Sequence, residues 1–114
     1  MNFFDDVMDM KLQCLKEAAA AKADGRYDEA VQARVRSNVY DICCTVYGAL
    51  QRAMGAAFPA AYEKKLQELG ATWTAARDEA EANGDADRAF TEEIKLAALQ
   101  DVLRRWEEAK HDGE

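Results

Sequence analysis

Apolar positions recur along this chain at steps of three and four, the spacing that lines up one side of an α-helix. The densest run is Val35–Met54, and it is apolar on two sides. Val35, Val39, Ile42, Val46, Ala49 and Ala53 make one ridge, while Tyr40, Cys44, Tyr47 and Met54 make a second, with Gln51 beside it. Such a helix needs neighbours on more than one flank, which predicts a long, central helix over about residues 26–55. Ahead of it, Phe4, Met8, Leu12, Leu15 and Ala19 predict a core-facing stripe on a helix over about 3–23. Asn2 is placed to cap that helix, with Asp5 in the positive field of its first turn. The tract Ala18–Ala21 has little bulk, so a neighbouring helix can approach closely there.

A third helix, over about 59–82, has the cleanest heptad spacing, in Tyr62, Leu66, Leu69, Trp73, Ala76 and Ala80. A fourth, over about 85–109, carries Phe90, Ile94, Leu96, Ala98, Leu99, Val102, Leu103 and Trp106 around more than half of its circumference. Residues 110–114 read as a frayed tail. Asp24-Gly25 and Asn83-Gly84-Asp85 supply the stops between hairpin partners, glycine being the residue that adopts a left-handed helix end at least cost. Between the second and third helices, Gly55–Pro59 reads as a non-helical connection, because the residue before proline avoids the helical region.

The expected architecture is a single all-α domain over 1–114, an antiparallel four-helix bundle of two hairpins with helix 2 long and central. A weak duplication supports the hairpins. Ala23-Asp-Gly-Arg-Tyr-Asp-Glu-Ala30-Val31 and Ala82-Asn-Gly-Asp-Ala-Asp-Arg-Ala89-Phe90 share Ala, Gly, Asp and Ala in register, 59 positions apart. The first of these segments, from Gly25 to Val31, also resembles the inter-helix turn of a tetratricopeptide repeat. That resemblance covers seven residues and lacks the period of about 34 residues, so it implies shared turn chemistry and no peptide-binding role.

Composition narrows the chemistry. Of 114 residues 49% are apolar and only one is proline, which suits a globular helical chain. Twenty-two acids against 15 bases give a net charge of −7, which disfavours direct binding to nucleic acid or to an anionic membrane. Asp5, Asp6 and Asp9 interrupt the opening residues, so these do not read as a signal peptide, and no apolar run nears a membrane span of roughly 20 residues. A soluble, cytoplasmic protein is expected. Cys14, Cys43 and Cys44 are an odd number on helical segments, which predicts free, partly buried thiols.

No reactive constellation emerges. The single histidine, His111, rules out paired Glu-x-x-His metal helices and leaves a cysteine or serine nucleophile without a base. Cys-x-x-Cys spacing and phosphate-binding glycine loops are absent, and no cofactor is expected. The one enzymatic candidate is a magnesium-dependent nucleotide hydrolase using Asp6, Asp9, Asp78 and Glu81, two pairs one turn apart. The favoured expectation is a non-catalytic inhibitor or adaptor that binds another protein and self-associates as a homodimer. Tyr40, Cys44, Tyr47, Gln51 and Met54 are its candidate contact ridge, tyrosine being enriched at interfaces. The alternative is an acidic, phage-type anti-defence inhibitor that docks on a basic nucleic-acid-handling protein. It would use Asp85, Asp87, Glu92, Glu93, Glu107 and Glu108.

Overall fold

The computed structural model describes the backbone of residues 2–112 and the side chains as far as Lys110. Four α-helices run in the expected order: α1 (Phe3–Ala23), α2 (Tyr27–Met54), α3 (Phe58–Ala82) and α4 (Ala86–Asp112). Asn2 caps α1, its Oδ1 accepting from the Asp5 backbone N–H at 2.8 Å. The helix over α4 extends beyond residue 109, through part of the segment read as a tail, and Lys110 pairs with Glu63 of α3. The remainder of that expectation, residues 113–114, lies outside the described residues, as does the side chain of His111.

The two hairpin turns are built alike. Gly25 and Gly84 take φ of +78° and +70°, where a Cβ would be strained. Each turn closes with the same long backbone bond, Arg26 N–H to Ala21 O and Asp85 N–H to Ala80 O, both 2.8 Å. The link between hairpins differs from the expected non-helical segment. Gly55–Ala57 forms a 3₁₀ turn, and Phe58 is already helical at φ −54° and ψ −49° although Pro59 follows it. Tertiary packing overrides the local preference here: Phe58 is buried, with its ring 4.8 Å from Tyr47 and 5.6 Å from Tyr62.

Helix α2 is central, touching each of the other three, whereas the backbones of α1 and α3 stay apart and the two helices meet through side chains, the Phe3 ring lying 5.8 Å from that of Tyr62. The bundle is therefore flattened, with α2 and α4 in contact across what would be its diagonal. That closure turns the helices away from the faces their spacing suggested. In α1 the buried stripe is Phe3, Val7, Cys14, Ala18 and Ala21; Leu12 and Leu15 of the expected stripe lie exposed. The shift is one position, about 100° of helix rotation. In α2 the buried residues are Ala30, Ala33, Ser37, Val39, Tyr40, Cys43 and Cys44, while Ile42, Ala49 and Ala53 of the first ridge face outward. The α3 stripe holds as expected, with Tyr62, Leu66, Trp73 and Ala80 buried and Leu69 and Ala76 half-buried beside them.

Burial also repeats at the 59-residue offset. Phe3 and Tyr62, Val7 and Leu66, Cys14 and Trp73, Ala21 and Ala80, Ala30 and Ala89, Val39 and Ala98, Tyr40 and Leu99, and Cys43 and Val102 are buried as pairs. The two hairpins thus occupy similar environments, the burial pattern of an approximate twofold repeat.

Candidate functional site

The ridge expected to face a partner is largely interior. Tyr40 and Cys44 are buried, and Tyr47 packs its ring against Phe3, Phe4, Phe58 and Tyr62 at 4.8–5.6 Å. Gln51 and Met54 alone of that set are exposed. Its tyrosines are spent on the chain's own core, because α4 and the start of α1 close over them. Burial keeps the thiols protonated: Cys14 and Cys44 are pushed up, and Cys43 reaches about 12. Free and enclosed, they are inert.

The hydrolase quartet does not converge. Asp6 and Asp9 sit near the start of α1 and Asp78 and Glu81 near the end of α3, helices whose backbones do not pack on each other. Among the described residues no three His, Cys, Asp or Glu side chains are placed to share a metal ion. The acidic run of α4 likewise presents no single docking face. Asp85 caps the helix by accepting from the Arg88 N–H at 3.1 Å, Asp87 stands at the mouth of a groove, and Glu107 is held by Lys110 at 3.4 Å. Glu93 and Glu108 are exposed, but Glu92 is buried, its Oε2 2.7 Å from Lys95 Nζ without hydrogen-bond alignment. Arg36 of α2 reaches Glu17 of α1 at 3.5 Å rather than any α4 acid.

Glu63 shows what one well-placed acid does in this fold. It accepts from Lys110 and from Trp106 Nε1 at 2.9 Å, and these two donors, Lys110 foremost, hold its carboxyl below the usual carboxylate range. A folded-state value below the unfolded one means the stabilisation is present above the ordinary glutamate pKa, near 4.3, and is lost as pH falls through the folded value. Because the pair is part-exposed, the effect is small. Thermal melts from pH 6 to pH 3 should show Glu63→Gln losing up to about 3 °C at pH 6 and nothing at the acid end. An equal loss at both ends would contradict this.

What the surface does offer is a groove between the N-terminal halves of α2 and α4, about 370 Å³ in volume. Asp28, Val31, Gln32 and Val35 line it from α2, and Asp87, Phe90, Thr91 and Ile94 line it from α4. Every residue in the second set lies 59 positions after its counterpart in the first, so the two walls of the groove correspond under the repeat. Its apolar walls are open to solvent, with Val31 61% and Phe90 51% exposed. An adjoining hollow of about 300 Å³ continues from Val31 and Val35 to Tyr27, Arg34 and Lys22.

The amphipathic pattern alone could not locate this groove, because Phe90 and Ile94 satisfy a core spacing. The usable signal was the duplication: read four residues further, Asp28-x-x-Val31-Gln32-x-x-Val35 recurs as Asp87-x-x-Phe90-Thr91-x-x-Ile94. No helix among the described residues is long and apolar enough to cross a membrane. Compared with protein-family models, with curated proteins and with solved structures, the chain matches none.

Proposed function

We propose that this chain is a small, acidic, non-catalytic protein that acts by binding another protein, as an inhibitor or adaptor. The groove between α2 and α4 is its docking face. The observation that carries this reading is the exposed apolar pair Val31 and Phe90 on facing walls of one groove. Large side chains left in water across a shared cleft mark interaction surfaces more often than isolated ones do. A helix laying its apolar side into the groove would cover Val31, Val35, Phe90 and Ile94 together.

Charge selects the kind of helix. Asp28 and Asp87 stand on opposite walls and the chain carries −7, so a partner bearing lysine or arginine beside its apolar ridge is favoured. A second copy facing this groove symmetrically would bring four aspartates together. Self-association is therefore better supported on another face, where α1 exposes Leu12 and Leu15 at 49% and 42%.

Affinity capture from the native host, with the wild-type chain and a Val31→Asp/Phe90→Asp variant, tests the reading. Both sites are more than half exposed, so helicity and melting should stay nearly constant, within about 0.5 kcal/mol per substitution, while the captured protein is lost. Equal capture by a folded variant would refute the groove. Light scattering of wild type and Leu12→Lys/Leu15→Lys decides the separate question of a homodimer.

A further inference from the structure

The approximate repeat predicts two equivalent clefts, one between α2 and α3 and one between α4 and α1, and the structure does not make them alike. Helix α3 packs against α2 more extensively than α1 packs against α4. On the better-packed side stand Trp73, Leu99 and Leu69, members of or neighbours to the apolar core, with Lys95 Nζ 5.7 Å over the Trp73 ring. The counterparts 59 positions earlier are Cys14, Tyr40, Met10 and Arg36, and these line an open cleft of about 580 Å³. A tryptophan is replaced by a cysteine and a leucine by a tyrosine, so one cleft is filled and its twin is hollow and polar.

Tyr40 is the informative residue. Its side chain is buried, at 4% exposure, yet among the described residues no group hydrogen-bonds to its hydroxyl. The oxygen is not sealed off either, since it is absent from the fully enclosed, unpaired atoms, and the cleft is the space it borders. Tyr62, the other fully interior tyrosine, donates to Cys43 O at 3.0 Å. A hydroxyl with no partner in the protein at the floor of an open cleft is free to bind a group from outside.

We propose that the α1–α4 cleft binds a guanidinium or alkylammonium group, held between the Tyr40 hydroxyl and the carboxylates of Asp9 and Asp101, with Asp6 beside them. The sign follows from the lining. Four carboxylates, Asp6, Asp9, Glu17 and Asp101, face two guanidiniums, Arg36 and Arg105. Arg36 is already engaged by Glu17 at 3.5 Å and one oxygen of Asp101 by Arg104, while Asp6 and Asp9 have no ion-pair partner among the described residues. Of the charges acting on the Tyr40 hydroxyl, Asp101 is foremost, with Arg36 and Arg105 opposing it. That hydroxyl stays protonated, its pKa pushed up to about 12 chiefly by burial, and can accept from a cation while donating to a carboxylate. The site is distinct from the apolar groove, shares no lining residue with it, and does not depend on it.

The test is a two-dimensional amide NMR titration of the full chain with agmatine, with the capped tripeptide acetyl-Ala-Arg-Ala-amide, and with acetate. The cationic probes should shift amides around Asp9, Gln13, Tyr40 and Asp101. Tyr40→Phe, which keeps the ring, should weaken both probes roughly tenfold, the worth of one hydrogen bond to a charged group. Asp9→Asn should weaken them while leaving the melting temperature unchanged, the residue being exposed. Tighter binding of the tripeptide identifies a partner's arginine as the source of the group, and tighter binding of agmatine a free metabolite. Shifts spread over the whole surface, shifts with acetate alone, or a Tyr40→Phe variant that binds as well as wild type would each overturn the assignment.

Discussion

Replacing Tyr62 with alanine is expected to cost about 4 kcal/mol of unfolding free energy, a large share of the 5–15 kcal/mol typical of a domain. The ring is fully buried and meets four others, at 5.8 Å from Phe3, 5.4 Å from Tyr47, 5.6 Å from Phe58 and 5.0 Å from Trp106. Those five rings come from all four helices, α1 through Phe3 and α4 through Trp106, so the cavity left behind loosens a place where both hairpins interlock. The hydroxyl adds a bond to Cys43 O across α2 and α3. Tyr62→Phe removes only that bond and leaves a buried carbonyl short of a donor, costing about 1–2 kcal/mol. Urea denaturation followed by tryptophan fluorescence separates the two variants. If Tyr62→Ala costs no more than Tyr62→Phe, the aromatic cluster is not what joins the hairpins.

Ala33→Leu should be the next most damaging change, at about 2–3 kcal/mol, and for the opposite reason. Here the interface has no room. Ala18, Ala21, Ala30 and Ala33 are all buried along the α1–α2 hairpin, the most extensive helix pair in the fold. Lys11–Asp41 at 2.9 Å and Arg36–Glu17 at 3.5 Å pair the two helices beyond this alanine tract, on the side away from the turn. A leucine at Ala33 would have to push α1 away or leave its preferred rotamer. At the equivalent position of the second hairpin stands Glu92, so α3 and α4 tolerate bulk where α1 and α2 do not. Ala49→Leu, on an exposed turn of the same helix, is the control and should change stability by no more than about 0.5 kcal/mol. Similar losses from both would mean that helix propensity, not packing, sets the cost.

The same contrast explains which readings carried through from the residues. Asn2 capping α1, glycine at each hairpin turn and the α3 stripe all rest on forces acting within one or two helical turns. The structure places them where the spacing does. Phe58 does not follow its local rule, because the gain from its aromatic contacts exceeds the preference that the following proline imposes. The stripe of α1 and the two ridges of α2 were legible as sets, yet which set faces inward was not. Leu12 and Leu15 out, Cys14 and Ala18 in, is a rotation that no single helix dictates.

The functional surfaces divide the same way. That the chain holds two hairpins of one ancestry-like pattern, with a repeat at 59 residues and a surplus of apolar circumference on its second and fourth helices, is written in the order of its residues. That the surplus falls at Val31 and Phe90 rather than at Tyr40 and Tyr47, and that one pseudo-equivalent cleft is filled by Trp73 while its twin opens around Tyr40, was decided only by folding. Spacing fixes which side chains share a side of a helix, since that depends on the turn alone. Which side is buried depends on how four helices cross, and small residues such as Ala18 and Ala33 set that crossing by letting α1 and α2 approach more closely than α3 and α4.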